Sequence, residues 1–327
     1  MAKNALITGW GFYAPSRVMT NAELERIVDT SDEWITSRTG IKERRIASDE
    51  ETNSFMSARA ARAALEKAHL RAQDVQLVIV GTCSPDYLFP ATACLVQTEI
   101  GATRAGAFDV EAACTSFITA LAIARGMIVS GAIQNALVIG AERLSRLLNW
   151  KDRTTCVLFG DGAGAVVLEA SNASVGIEST VLHGDGSKGE MLMVQAGASK
   201  RPASADTIER GQHFITMSGG EVFKLAVKSM ADAAEEAIAE AGLTLDDIDL
   251  LIPHQANVRI IDGVAKRLRF PPEKVFVNIQ RYGNTTAATL PLVFHEARQA
   301  GRVRPGDLVC FTALGAGLHW GAGLLRA

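Results

Sequence analysis

Apolar and polar positions alternate regularly along this chain. Continuous apolar runs of the kind found in buried strands recur, and amphipathic stretches with apolar residues at helical spacing lie between them. The runs fall at residues 77–81, 135–140, 250–253, 274–279 and 307–313. Strands that alternate with helices in this way predict an α/β fold with mostly parallel sheets covered by helices.

The pattern repeats within the chain. Residues 60–80 and 233–253 match at a constant offset of 173, so that Ala60 corresponds to Ala233 and Asp74 to Asp247. Each copy contains an alanine-rich helix, a turn with an aspartate and an apolar strand. Alanine-rich helices are common, so two such units can look alike, but a gapless match of this length favours duplication. The polar interruption near residues 170–173 then predicts two halves, 1–172 and 173–327.

Composition narrows the class of protein. Of 327 residues, 48% are hydrophobic and 21% charged, with a net charge of −3, as in an ordinary soluble globular protein. This balance disfavours a nucleic-acid-binding protein, which would carry a strong basic excess. The longest apolar region, residues 117–140, is interrupted by Arg125 and Gln134, and residues 1–9 predict a short strand and turn rather than a signal peptide. We therefore expect a cytoplasmic protein that does not associate with membranes.

The cysteines are odd in number and have no CxxC spacing: Cys83, Cys94, Cys114, Cys156 and Cys310. This usage indicates reduced thiols and no metal site. We interpret four of them as packing residues, because buried cysteines are usually inert. Cys114 differs, because small residues precede it and a helical pattern begins at Thr115. A helix N-terminus lowers the pKa of a thiol, so we expect Cys114 to be a nucleophile.

Two further polar residues follow apolar segments. His254 directly follows the predicted strand 250–253, at the strand end where α/β sheets place binding crevices, and Asn284 lies in a glycine-containing turn about thirty residues later. Each alone could be a capping or turn residue. Together they offer two neutral donors to one enolate oxygen, while Cys114 offers sulfur to hold an acyl group. The three side chains suit decarboxylative carbon–carbon bond formation on thioesters.

At residues 108–117, 252–257 and 282–288 the sequence resembles the β-ketoacyl-acyl-carrier-protein synthase III family, and the resemblance runs from residue 3 to 326. It implies a thiolase-like duplicated five-layer αβαβα sandwich and a homodimer. It also implies an enzyme that starts fatty-acid chains by condensing an acyl group, acetyl or another short primer, with malonyl-acyl carrier protein. Acyl-coenzyme A is then a substrate, and no cofactor is implied. Three positions depart from the family pattern: Ser116 replaces a usual glycine, Ala316 stands where many relatives have glycine, and Gly220 replaces an asparagine that assists pantetheine binding.

The resemblance also assigns roles by position. It makes Cys114 the nucleophile, His254 and Asn284 the enolate donors, and the backbone amides of Cys114 and Ala316 the oxyanion hole. The implied contacts of coenzyme A and its pantetheine arm are Trp34, Arg38, Arg153, Phe223 and Asn257. The implied acyl pocket comprises Cys83, Leu144 and Phe159, with Phe89 reaching into the pocket of the partner subunit.

Basic residues collect on two predicted helices near the candidate site. Lys224 and Lys228 lie at i, i+4 on one helix, and Arg259, Lys266 and Arg267 recur on the other. Such charges are often only a solvated face. Because the net charge of the chain does not attract an acidic carrier protein globally, a local patch is required. We predict that Lys224, Arg259, Lys266 and Arg267 form a docking surface for the carrier protein.

Three other interpretations stay open. A relative with another acceptor, such as an acyltransferase of secondary metabolism, would share the same three residues. A biosynthetic thiolase fits less well, because it needs a second cysteine in the glycine loop, and residues 314–321 contain none. A non-catalytic acyl-binding subunit would not need intact Cys114, His254 and Asn284. The glycine run at residues 160–164 lacks the lysine and spacing of a phosphate loop and indicates close backbone packing.

Overall fold

The computed structural model describes residues 4–327, so residues 1–3 of the predicted N-terminal strand lie outside the described part. The strands are β1 Asn4–Tyr13, β2 Val18–Thr20, β3 Glu43–Arg45, β4 Leu77–Gly81, β5 Gly106–Val110, β6 Asn135–Glu142, β7 Gly162–Ser171, β8 Gly176–Gly184, β9 Leu192–Val194, β10 Ile215–Met217, β11 Leu250–Pro253, β12 Leu308–Gly315 and β13 His319–Arg326. The helices are α1 Asn21–Leu24, α2 Asp32–Thr39, α3 Asn53–Ala68, α4 Thr92–Ile100, α5 Ser116–Val129, α6 Ala205–Glu209, α7 Gly219–Glu240, α8 Val258–Arg267, α9 Ile279–Tyr282 and α10 Thr289–Gln299. Within residues 4–327, no helix has both the length and the apolar character needed to cross a bilayer.

Two mixed sheets form the framework, with strand orders β1-β7-β6-β4-β5 and β11-β12-β13-β8. The strand β4 is parallel to β5 and β6, and β11 is parallel to β12. The strands β1, β7, β8 and β13 pair antiparallel. The prediction of mostly parallel sheets was therefore wrong. In each half the chain returns beside its previous strand, β6 to β7 and β12 to β13, without the crossover helix that a parallel neighbour requires.

The duplication extends further than the sequence match. The 3-10 turns Ala72–Asp74 and Leu245–Asp247, which precede β4 and β11, keep the offset of 173. Outside the matched residues, the turns Ala113–Thr115 and Thr286–Ala288, which precede the central helices α5 and α10, keep the same offset. The two halves diverged in sequence at these central turns but kept the same backbone. The boundary predicted at residues 172 and 173 falls between β7 of the first sheet and β8 of the second, and the division into halves stays a prediction.

Apolar side chains fill the spaces between five layers. One core joins the inner faces of both sheets to α5 and α10, with Phe117 and Phe294 from the helices against Ile79 and Phe311 from the strands. A second core lies between the first sheet and the outer helices α3 and α4. A third lies between the second sheet and α7 and α8. The predicted αβαβα sandwich is confirmed.

One predicted strand, residues 274–279, does not form. The segment follows a 3-10 turn over Pro272–Lys274 and makes a single parallel bridge, between Leu251 and Val275. The side chain of Gln255 takes the place of the backbone hydrogen bonds that a strand would make here. It donates to the Phe276 carbonyl at 3.3 Å and accepts from the Asn278 N–H at 3.1 Å. Because the Gln255 side chain occupies these backbone hydrogen-bonding groups, residues 274–279 stay irregular. They lie beside β11 in the second sheet, at the position that β5 occupies beside β4 in the first sheet.

Candidate active site

The turn that carries Cys114 lies between β5 and α5. Ala113 has a positive φ of 46°, and a 3-10 turn leads from it into the helix. Ser116, the departure from the family pattern, is fully buried, and its hydroxyl accepts a hydrogen bond from the Ala112 N–H at 2.9 Å. Gly81 lies opposite, where any Cβ would come within 2.8 Å of the Ser116 Cβ. A glycine on the neighbouring strand therefore accommodates the serine, which stabilises the turn from inside.

The end of β12 packs directly against this turn. A Cβ on Gly315 would lie 2.5 Å from the backbone nitrogen of Cys114 and 3.2 Å from the Ala112 carbonyl oxygen. Ala316, the next residue, lines the same cavity as Cys114. Its φ is not positive, so the methyl group is compatible with its backbone. The structure thus brings the two predicted oxyanion-hole residues to one cavity.

His254 follows β11, and its backbone N–H donates to the Thr312 carbonyl of β12 at 2.8 Å. The side chain is 1% exposed, and neither ring nitrogen has a hydrogen-bond partner among residues 4–327. Burial lowers the pKa of His254 to about 3, so the ring is neutral at physiological pH. A neutral imidazole carries one N–H, which can donate to a ligand in the cavity that His254 lines.

Asn284 lies in the turn between α9 and α10. Its backbone N–H donates to the Leu158 carbonyl at 2.8 Å, and its carbonyl accepts from the Gly160 N–H at 3.0 Å. Its side-chain oxygen accepts from the Thr286 N–H at 2.8 Å. Because that oxygen must be the acceptor, the side-chain nitrogen is the group left to donate to a ligand. Asn284 lines the same cavity as His254 and Cys114.

The Cys114 thiol is not activated in the way predicted. Burial, then the charge of Glu142, raises the pKa of Cys114 to about 12, although a hydrogen bond with the Thr286 side chain acts in the opposite direction. The expectation that the helix start would lower this pKa was wrong. The free-energy cost of removing a thiolate from water is larger here than the stabilisation that the helix N-terminus and nearby hydrogen-bond donors provide. At rest Cys114 is therefore a neutral thiol.

Glu142, at the end of β6, was missed by the sequence analysis. Its buried carboxyl group accepts hydrogen bonds from the hydroxyl groups of Thr82 and Ser84, at 3.2 and 2.5 Å, and from the Cys83 N–H at 3.2 Å. Burial raises the pKa of Glu142 to about 7 despite these bonds. A polar residue directly after an apolar strand was the available signal, the same one that identified His254.

One cavity of about 1000 Å³ joins the candidate residues. Cys114, His254 and Asn284 all line it, together with every predicted coenzyme A contact: Trp34, Arg38, Arg153, Phe223 and Asn257. Gly220 also lies on its wall, where an added Cβ would meet no atom within 4 Å. The missing asparagine of the family pattern therefore leaves open space on the cavity wall.

Trp34, one of the predicted coenzyme A contacts, already stacks with two others, Arg38 and Arg153. The Arg38 and Arg153 guanidinium groups lie 4.8 and 5.1 Å from the Trp34 ring centroid. Arg153 also donates to the Asp29 carbonyl at 2.8 Å. A flat heterocycle can replace one guanidinium group over the indole without loss of the stacking geometry.

The predicted acyl-pocket residues separate by location. Cys83, Leu144 and Phe159 line the cavity. Phe89 does not line it; the side chain is 85% exposed, in an apolar loop tip with the exposed Tyr87. This is compatible with the prediction that it reaches a partner subunit.

The predicted docking residues divide into two groups. Lys224 and Arg259 are exposed and line the cavity, whereas Lys266 and Arg267 are exposed but do not line it. Arg267 pairs with Asp232 at 2.8 Å, and the same carboxylate accepts from a lysine four residues before it on α7, at 2.7 Å. An acidic residue overlooked in the sequence thus neutralises part of the predicted patch.

Comparisons with known proteins agree with this geometry. The family profile described as 3-Oxoacyl-[acyl-carrier-protein (ACP)] synthase III matches residues 108–186, and the profile of its C-terminal part matches residues 238–327. The beta-ketoacyl-[acyl-carrier-protein] synthase III of Roseiflexus sp. (strain RS-1) is 51% identical over 326 residues, which cover 100% of this chain and 99% of the relative. The Aquifex aeolicus (strain VF5) protein of the same name is 51% identical over 320 residues, 98% of each chain.

Solved structures give the same result. The crystal structure of 3-oxoacyl-[acyl-carrier-protein] synthase III from Aquifex aeolicus VF5 is 50% identical and superimposes with a TM-score of 0.92, over 99% of this chain and 100% of that one. The priming β-ketosynthase from the R1128 polyketide biosynthetic pathway is 35% identical, with a TM-score of 0.93 over 99% and 96%. This chain therefore belongs to the β-ketoacyl-[acyl-carrier-protein] synthase III family of thiolase-fold condensing enzymes.

Proposed function

We propose that Cys114, His254 and Asn284 perform the two half-reactions of a β-ketoacyl-[acyl-carrier-protein] synthase III, the condensation that initiates fatty-acid synthesis. The main supporting observation is that three groups line one cavity. They are a buried thiol, an imidazole with no hydrogen-bond partner among residues 4–327 and a side-chain amide nitrogen that is left to donate to a ligand. These groups match what the reaction needs: one sulfur to hold the acyl group and two neutral donors for an enolate.

In the first half-reaction, the Cys114 sulfur attacks the carbonyl carbon of acyl-coenzyme A. The negative charge that develops on the carbonyl oxygen is stabilised by the backbone amides of Cys114 and Ala316. The bond to the coenzyme A sulfur then breaks, and the thiol proton ends on that sulfur. The high pKa of Cys114 means that the thiolate forms only during this transfer, when the leaving sulfur can take the proton.

In the second half-reaction, malonyl-acyl carrier protein loses carbon dioxide. The electron pair of the broken carbon–carbon bond forms an enolate, whose oxygen accepts hydrogen bonds from the imidazole N–H of His254 and the side-chain nitrogen of Asn284. Because the pKa of His254 is about 3, the ring donates as a neutral group and takes no proton. The enolate carbon attacks the carbonyl carbon of the acyl-cysteine, and the carbon–sulfur bond breaks to release the 3-oxoacyl-carrier protein. The Cys114 sulfur leaves as a thiolate and takes a proton from water to return to the neutral thiol.

We assign the coenzyme A site to the Trp34 end of the cavity and the primer to the Cys83 and Leu144 end. Trp34 stacks with the adenine, and the guanidinium groups of Arg38 and Arg153 also face the phosphates. Phe223 and Asn257 line the pantetheine path. Phe159 closes the acyl end, where it packs in a small apolar cluster with Leu144.

We also propose a homodimer in the cytoplasm. The strand β5 is the last in its sheet, and its residues are exposed or half-buried. The apolar residues Tyr87, Leu88 and Phe89 are exposed nearby on the loop after β4. A second copy that pairs along β5 would cover both features, and Phe89 would then reach the acyl pocket of the partner. Sedimentation of the purified protein tests this assembly.

A docking site for the carrier protein is proposed at Lys224 and Arg259, with Lys266 further along α8. Lys224, Arg259 and Lys266 have no acidic partner within salt-bridge distance among residues 4–327, so their charges are free for an acidic partner. Arg267 contributes less to the net charge because Asp232 neutralises it.

Intact mass spectrometry tests the assignment of the two half-reactions. With acetyl-coenzyme A, Cys114→Ala should form no acyl-enzyme, whereas the control Cys94→Ala should be acylated normally. With malonyl-carrier protein, Asn284→Ala should be acylated normally but should lose decarboxylation by about 10²- to 10³-fold, the cost of one oxyanion donor. Acylation of Cys114→Ala, or full decarboxylation by Asn284→Ala, would refute the respective role. Offering other nucleophiles beside malonyl-carrier protein tests the alternative of a different acceptor.

A further inference from the structure

Glu296 is a nearly buried carboxylate on α10, outside the cavity wall. One oxygen accepts from the side-chain nitrogen of Asn278 at 2.9 Å and from the Arg281 guanidinium at 2.5 Å. The other accepts from the Tyr282 hydroxyl at 2.7 Å. The side chain of Glu296 is 10% exposed and that of Arg281 is 49% exposed, so the carboxylate and not the arginine is the fixed centre of this group.

All three donors lie in the short segment before Asn284. Asn278 precedes α9, and Arg281 and Tyr282 are its last residues, three and two positions before the predicted enolate donor. Glu296 lies beyond Asn284 in the chain, two turns into α10, so its hydrogen bonds close a loop that contains Asn284. On the other side, backbone bonds to residues 158 and 160 hold Asn284. The turn is thus fixed from both directions.

The same network reaches His254. Gln255, the next residue, is 1% exposed. Its side-chain nitrogen donates to the Pro253 carbonyl at 2.8 Å, and its side-chain oxygen accepts from the Asn278 N–H at 3.1 Å. Asn278 therefore bonds to Gln255 through its backbone and to Glu296 through its side chain. A continuous chain of hydrogen bonds links the two segments that carry the enolate donors.

We propose that Glu296 is a positioning residue for decarboxylation: through Asn278 and Tyr282 it sets the place of Asn284 relative to His254. This rests on the proposed function of Asn284 as an enolate donor. Two donors must point at one oxygen, and a misplacement of about 1 Å can cost about 10²-fold in rate. Acylation uses Cys114 and the amides near it, and no side-chain hydrogen bond of Glu296 ends on these groups.

The variant Glu296→Ala should therefore lower malonyl decarboxylation by about tenfold and change the rate of acyl-enzyme formation by less than about twofold. Glu296→Gln should restore most of the decarboxylation, because its oxygen can accept from Asn278 and Arg281 and its nitrogen can donate to the Tyr282 oxygen. The matched control is Glu178→Gln, another partly buried carboxylate, paired with Arg326. It should leave both half-reactions unchanged.

A double-mutant cycle with Asn284→Ala separates positioning from general damage. If Glu296 acts through Asn284, adding Glu296→Ala to Asn284→Ala should change the residual decarboxylation by less than about twofold. A full tenfold loss in the double variant, or an equal loss of acylation and decarboxylation in Glu296→Ala, would overturn the positioning role and leave the donor role intact. Normal decarboxylation by Asn284→Ala alone would instead refute the proposed donor, and the positioning role with it.

Discussion

Replacing Gly315 with alanine tests how closely the backbone around Cys114 must pack. The added Cβ would lie 2.5 Å from the Cys114 nitrogen and 3.0 Å from the Ala113 Cβ. Neither atom belongs to a flexible side chain that can move away. The contact is with the turn itself, so either β12 or the turn must shift.

The size of the shift follows from the distances. Real Cβ atoms essentially never lie closer than 3.0 Å to a non-bonded heavy atom of another segment, so the two segments must part by at least 0.5 Å, the difference between 3.0 and 2.5 Å. That shift separates the amide of Cys114 from the amide of Ala316, the two proposed oxyanion donors. Loss of one such donor costs about 10²- to 10³-fold. Because the donor is displaced and not removed, we expect acyl-enzyme formation to slow by about 10²-fold, or about 2.7 kcal/mol.

The measurement is the rate of acyl-enzyme formation from acetyl-coenzyme A, followed by intact mass. The matched control is Gly126→Ala in α5, the helix that follows Cys114, because an added Cβ there meets no atom within 4 Å. The control should acylate normally and gain up to about 1 kcal/mol of stability from its better helix propensity. If Gly315→Ala acylates as fast as Gly126→Ala while folded, the tight packing does not position the oxyanion hole, and this part of the mechanism is wrong.

Three other variants address the charge and shape of the site. Glu142 has a folded-state pKa of about 7 against an ordinary value of 4.5, so its contribution to stability is fully present below pH 4.5 and is lost as the pH rises through 7. Relative to wild type, Glu142→Gln should therefore gain on the order of 3 kcal/mol of unfolding free energy between pH 4 and pH 8. If denaturant titrations show the same difference in unfolding free energy between variant and wild type at both pH values, the buried charge is contradicted. The same variant removes the repulsion that raises the pKa of Cys114, so iodoacetamide should alkylate this thiol faster at pH 8. Gly220→Asn places a side chain in open space on the cavity wall, so it should lower the KM for acetyl-coenzyme A without a change in stability, and an unchanged KM would show that pantetheine does not pass there. Arg259→Glu with Lys266→Glu should weaken carrier-protein binding and its salt dependence while acylation by coenzyme A thioesters stays near wild type; equal loss of both half-reactions would exclude a docking role.

The sequence predicted the site best where neighbouring residues in the chain mark a functional position. Cys114 and His254 each follow an apolar strand, and the strand ends of a layered α/β fold converge, so their shared cavity was predictable. Asn284 follows a segment that forms no strand, and its place was predicted from its pairing with His254 and from the family resemblance. The duplication was visible only along one helix–strand unit. The central turns, Ala113–Thr115 with Cys114 and Thr286–Ala288 just after Asn284, share a backbone conformation but not a sequence, because packing of the two turns against each other fixes the conformation.

The errors arose where a distant group decides the outcome. The strand at residues 274–279 fails because Gln255 takes its backbone hydrogen bonds, and the pKa of Cys114 rises because burial and Glu142 outweigh the helix end. The charge on Arg267 is neutralised by Asp232, from another helix. None of these effects leaves a pattern in the neighbouring sequence.

The two central helices have a consequence for how the enzyme responds to salt. The turns before α5 and α10 pack against each other, so the N-terminal ends of both helices face the reacting groups. In the proposed mechanism the thiol, imidazole and amide are all neutral at rest, and negative charge develops only transiently, on the thioester oxygen and then on the enolate. Fixed dipoles in a buried site are screened very little by dissolved ions, whereas exposed arginines and lysines are screened strongly. We therefore expect ionic strength to act on the arrival of the carrier protein at the proposed docking site and to leave the bond-making steps nearly unchanged.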